Sequence, residues 1–173
     1  GDHQRRALID AYAAVGRLDR LAAGLDGKTD VRSLEIVADA RRAQGDHAGA
    51  LETYGTLIER QTRDFRYYFH AAVAAHRLGM ADRATELAEL GRERYLATHY
   101  ASMGSWREVF AQILLGGGLV EAGTVFAREA HERPLDAHER EGSRVIQGAL
   151  LAWAHLMSGD IEAANETIAN FTG

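Results

Sequence analysis

Two stretches decide the reading of this chain: Arg42-Ala-Gln-Gly45-Asp-His-Ala-Gly-Ala50-Leu-Glu-Thr-Tyr54 and His76-Arg-Leu-Gly79-Met-Ala-Asp-Arg-Ala84-Thr-Glu-Leu-Ala88. Each ends one run of apolar residues at helical spacing and opens another. A Gly stands at the break and a small Ala follows five residues later. Glycine adopts the left-handed conformation that closes a helix, where a Cβ is crowded. The alanine falls on the next helix, where two helices must approach closely. Gly45 and Gly79 are 79 − 45 = 34 residues apart, so the same helix-closing device recurs as in a repeat.

Working outward, a third unit has Trp106, Val109 and Ile113 at helical spacing, Gly117 ending the first helix, Ala122 and Phe126 on the second, and Pro134 at the close. A fourth is visible in Met157-Ser-Gly159-Asp-Ile-Glu-Ala-Ala164-Asn-Glu-Thr-Ile168, and a degenerate first one in Ala14-Val-Gly16-Arg-Leu-Asp-Arg-Leu21. The remaining intervals are 45 − 16 = 29, 117 − 79 = 38 and 159 − 117 = 42. The array is therefore irregular, with inserted turns expected near Leu96 to Ser105 and Pro134 to Gly142.

This period and these landmarks resemble the tetratricopeptide repeat, a 34-residue two-helix unit written W-x2-L-G-x2-Y, then A-x3-F, then P. The resemblance implies an all-α fold over 1–173: a right-handed superhelical solenoid of about five antiparallel helix pairs, in approximate units 2–30, 31–64, 65–102, 103–135 and 136–173. Phe110 stands where the family has a small residue, so the two helices there are expected to cross more widely. Local chemistry fits. Asp30 is placed to cap a helix beginning near Val31, and Asp64 one beginning near Phe65. Asp136 with Glu139 reads as an acidic capping box after Pro134. No run alternates as a half-buried strand would.

Composition narrows the function classes. The 173 residues include 46% hydrophobic and 26% charged residues, the balance of a core-forming chain. With no cysteine, disulfides, thiolate metal sites and a cysteine nucleophile are ruled out, while the compartment stays open. A net charge of −5 argues against nucleic acid as partner, since phosphate contacts need a basic face. The longest stretch without a formal charge, Val145 to Gly159, is too short to cross a bilayer. The opening Gly-Asp-His-Gln has no initiator Met and no signal-peptide pattern, which suggests a piece excised from a longer protein.

No catalytic or metal-binding pattern emerges. Eight histidines invite a metal reading, yet none form the pair four apart that a zinc helix needs. His131 and His138 are separated by Pro134, and His70 and His76 are six apart, on different helix faces. Gly116-Gly117-Gly118 has no preceding strand and no following Lys-Ser or Lys-Thr, so it reads as a helix–helix turn, not a phosphate loop. No G-x-S-x-G or S-x-x-K occurs. No cofactor is expected.

The aromatic cluster Phe65-Arg66-Tyr67-Tyr68-Phe69-His70 is the most distinctive feature. Successive helical side chains turn by about 100°, so these cannot all enter one core. Tyr68, Ala72 and Ala75 align with the family's packing positions. Arg66, Phe69, Val73, His76 and Arg77, with His70 of the same cluster, then belong to the stripe that lines the family's concave groove. The preceding repeat adds Arg32, Glu35, Asp39 and Arg42, and the following one Arg107 and Ala111. Family members that clamp a C-terminal carboxylate use Asn and Lys there. The only Lys in this chain, Lys28, lies elsewhere, so a peptide or protein surface with apolar anchors and a few acidic groups is the better fit.

Finally, Val145 to Met157 is apolar around most of its circumference, and helix 161–171 covers one side only. Further repeats of a parent chain, or a docked partner, are the two expected covers. Three functions follow in order. The first is a non-enzymatic scaffold that binds a protein or peptide in its groove. The second is a regulatory or sensor segment of a larger bacterial protein, since related repeats occur in transcriptional activators and in envelope-polysaccharide assembly or export machinery. The third and weakest is an enzyme built on helix pairs.

Overall fold

The computed structural model describes residues 2–25, 27–60, 64–98, 106–133 and 142–172. Among these residues the chain forms ten helices and no strand: α1 (Asp2–Ala14), α2 (Leu18–Gly24), α3 (Val31–Gln44), α4 (His47–Glu59), α5 (Arg66–Arg77), α6 (Ala81–Leu96), α7 (Trp106–Gly117), α8 (Val120–Glu132), α9 (Gly142–Ser158) and α10 (Ile161–Thr172). The all-α class expected from the glycine spacing is observed. The capping box at Asp136 and Glu139, the Pro134 stop and most of both inserted turns lie outside the described residues.

Helix closure follows the expected chemistry. Gly45 sits at φ 78°, and the Asp46 N–H donates to Arg41 O at 2.9 Å, which satisfies a terminal carbonyl. The next residue then starts the following helix, because the Asp46 carboxylate accepts the Gly49 N–H at 2.9 Å. Gly159 and Asp160 repeat the arrangement, with Asp160 accepting from Ala163 N at 3.0 Å. One closure is displaced by a residue: α7 runs through Gly117, and Gly118 takes the left-handed conformation at φ 91°. Asp30 caps α3 through Ser33 N at 2.9 Å. Asp64 accepts from Arg66 N at 3.0 Å, one residue ahead of the cap position occupied by Phe65.

The chain divides into two compact units, Gly1–Leu87 and Ala88–Gly173, with the boundary inside α6. In the first, α1 packs on α2 and α3, α2 on α3, α3 on α4 and α4 on α5. Ile9, Leu18, Leu21, Ile36 and Ala40 form one buried cluster, with Tyr12 and Leu25 against it. Ala50 and Ala84, the small residues picked out by the repeat, are fully buried. In the second unit α7 packs on α8 and α9, α8 on α9, and α9 on α10.

The second unit is built around aromatic rings. Phe110 meets Tyr95 and Phe126 edge-on, at centroid distances of 5.1 and 5.4 Å, and all three are buried. These are the preferred offsets for ring quadrupoles. α7 and α8 also approach closely a turn earlier on α8. At Gly123 an added Cβ would lie 2.7 Å from Leu115 Cγ and 3.0 Å from the Leu115 backbone nitrogen.

Candidate binding site

Four helices of the first unit contribute to one polar network. On α3, Arg32, Glu35, Asp39 and Arg42 recur at intervals of three and four, which places them on one face. Arg5 of α1 bridges the two carboxylates: its Nη1 lies 2.6 Å from Glu35 Oε2 and its Nε 3.3 Å from Asp39 Oδ2. Two phenols complete their coordination. Tyr54 of α4 donates to Asp39 Oδ1 at 2.7 Å, and Tyr67 of α5 donates to Glu35 Oε1. Arg42 Nη2 stands 3.7 Å from Asp39 Oδ1.

Rings link this network to the start of α5. Tyr54 stacks on Tyr67 with centroids 6.3 Å apart and on His70 at 5.3 Å. Before the helix, the Asp64 carboxylate holds the Arg66 guanidinium, whose Nε lies 2.9 and 3.0 Å from its two oxygens.

Burial, reinforced by Asp39, pushes the Tyr54 phenol well above its ordinary range. Burial and the hydrogen bond to Glu35 do the same to Tyr67. Both therefore stay protonated and donate to the carboxylates. Burial, then the positive charges of Arg42 and Arg66, lowers the His70 imidazole to about 3, so it is neutral at physiological pH. Burial acts to lower Arg42, but Tyr54 and Asp39 outweigh it and raise the guanidinium above its usual value.

The stripe expected from sequence is thus partly assembled. Glu35, Asp39 and His70 come together in the network, half-buried, while Arg66, also half-buried, is held by Asp64. Arg32, His76 and Arg77 are exposed, and Val73 is half-buried. Phe69 is a correction: it is fully buried at 0% exposure, so its ring belongs to the core and cannot wall a groove. Arg107 lies in the second unit, where its guanidinium sits 5.6 Å from the Tyr95 ring centroid and its Nε 3.6 Å from Glu129 Oε2. Three members of the network were not anticipated. Tyr54 and Tyr67 appear in the quoted stretches, but their hydroxyls carry no sequence signal of a partner. Arg5 falls in the degenerate first unit, where no register assigned it to a stripe.

Two further features lie off this stripe. A cavity of about 180 Å³ is lined by Leu34, Val37 and Arg41 of α3 with Glu52, Thr53 and Thr56 of α4. Helical spacing puts it on the opposite face of α3 from Glu35 and Asp39. On α9, Val145, Ile146, Trp153, Leu156 and Met157 are exposed. Among the described residues no cluster of three or more His, Asp or Glu is arranged to hold a metal ion. No helix among them is long and apolar enough to cross a membrane.

Compared with known proteins, the chain matches no family model and no curated protein.

Proposed function

We propose that this chain is a non-enzymatic scaffold, a right-handed solenoid of antiparallel helix pairs of the tetratricopeptide type, that binds a peptide or protein along the stripe of its first unit. The observation that carries the reading is which charges remain outward on that stripe. Glu35 and Asp39 are already matched by Arg5, Tyr54 and Tyr67. Arg32 and Arg77 remain exposed on α3 and α5, as does Arg42, whose Nη2 also pairs with Asp39. A face with fixed, neutralised acids and outward cations is complementary to a segment bearing carboxylates, and Arg is enriched at binding hot spots. The preordered network beneath it costs little to organise on binding.

Selection of short displayed peptides on the full chain tests this. Enriched peptides are expected to be acidic with an apolar anchor, and to lose about tenfold or more in affinity against Arg32→Glu/Arg77→Glu. Both positions are exposed, so the double variant keeps its helicity. Enrichment without acidic bias, or peptides indifferent to the double variant, contradicts the assignment.

A further inference from the structure

The second unit carries a surface that the stripe does not use. Of the exposed large hydrophobic side chains among the described residues, half lie between 142 and 172, five of them on α9 and two, Ile161 and Ile168, on α10. On α9 they are not scattered. At about 100° per residue, Val145, Ile146, Trp153, Leu156 and Met157 fall within one arc about 120° wide, with exposed Ala149 at its middle. Trp153 is steadied from beside: its Cη2 lies 3.7 Å from where a Cβ on Gly116 of α7 would sit. An apolar arc this long, about three helical turns from Val145 to Leu156, matches the anchor spacing of a helix laid along it.

Charge decides what covers it. The first unit is balanced, with 13 Lys and Arg against 13 Asp and Glu, whereas the second has 7 against 12 and so holds the whole excess of −5. Between 142 and 172 the acidic residues are Asp160, Glu162 and Glu166, and Arg144 is the only Lys or Arg. Glu162 and Glu166 are exposed and have no cationic partner among the described residues. A second copy of the chain would bring like charges together, and an anionic membrane would be repelled in the same way. We infer that the exposed arc of α9 docks an amphipathic helix whose apolar face is flanked by Lys or Arg.

The test uses the full chain and two synthetic helices that share one apolar stripe, one flanked by Lys and Arg and the other by Glu, followed by fluorescence anisotropy. The basic helix is expected to bind at least about tenfold more tightly, and to weaken with added salt. Val145→Glu/Leu156→Glu, both on exposed positions, should abolish that binding while circular dichroism stays unchanged. Glu162→Lys/Glu166→Lys leaves the apolar arc intact and should reverse the preference between the two helices. Arg32→Glu/Arg77→Glu should leave binding of the basic helix unchanged, and the two helices are compared in this background, where the first-unit stripe cannot hold the Glu-flanked one. Equal binding of the two helices, binding of neither, or insensitivity to the α9 variant overturns the inference. So does a dimer of the free chain that Val145→Glu/Leu156→Glu dissolves, since that result assigns the arc to a second copy.

Discussion

The aromatic residues at the start of α5 and of α7 serve different ends. On α7 the rings of Trp106 and Phe110 turn into a dry cluster with Tyr95 and Phe126, and charge enters only at its edge, where Arg107 lies over Tyr95. On α5 the Tyr67 ring stacks on Tyr54, while the hydroxyls of both reach carboxylates on α3. One unit centres on packed rings, and the other adds a hydrogen-bonded polar layer that partly faces outward. A dry aromatic cluster gives stability and offers nothing to a partner. The polar layer gives less stability but fixes the position of charges, which is what recognition needs.

The sharpest way to break this contrast is to delete a ring from the dry cluster. Phe126→Ala should cost about 3–5 kcal/mol in urea unfolding, through lost transfer energy and a residual cavity. A cost near 1 kcal/mol would mean that the cluster is loosely packed and the contrast overstated. Next come two helical glycines. Gly123→Ala in α8 puts a Cβ against Leu115 Cγ and backbone, which cannot both retreat, so a loss of about 1–3 kcal/mol is expected. Gly55→Ala in α4 meets open space and should gain up to about 1 kcal/mol from helix propensity.

Acidification separates the units further. The unfolded chain protonates His70 as pH falls through 6.5, whereas the folded chain keeps it neutral down to about 3. Stability present above pH 6.5 is therefore lost on lowering the pH across that window, by up to about 1.4 kcal/mol per unit. Unfolding free energies at pH 7 and pH 5 should fall more for the wild type than for His70→Gln. Equal falls would show that the imidazole is hydrated in the folded state. Among the losses the smallest belongs to Tyr54→Phe. Removing one donor to Asp39 should cost about 1–2 kcal/mol, clearly less than the Phe126 deletion.

What the sequence made legible follows from locality. Helix ends at Gly45-Asp46 and Gly159-Asp160 are set by residues a few positions apart, so their closures and caps can be read directly. Phe69 was misplaced because helical spacing shows that a side has apolar residues but not whether a neighbouring helix covers it. In a chain of packed helix pairs a helix is covered on more than one side. Arg5 was missed for the opposite reason. Its role depends on α1 meeting α3, thirty residues on, and no local pattern encodes that contact. The exposed arc of α9 was legible because its apolar residues run around most of the helix, further than α7, α8 and α10 together cover.

Hydrogen exchange on the full chain, with and without a saturating acidic peptide from the displayed selection, tests the central claim most directly. Slowed exchange confined to α3 and α5, with α9 and α10 unchanged, is the result expected if the first-unit stripe is the binding face. Protection on α9 with none on α3 or α5 would contradict it.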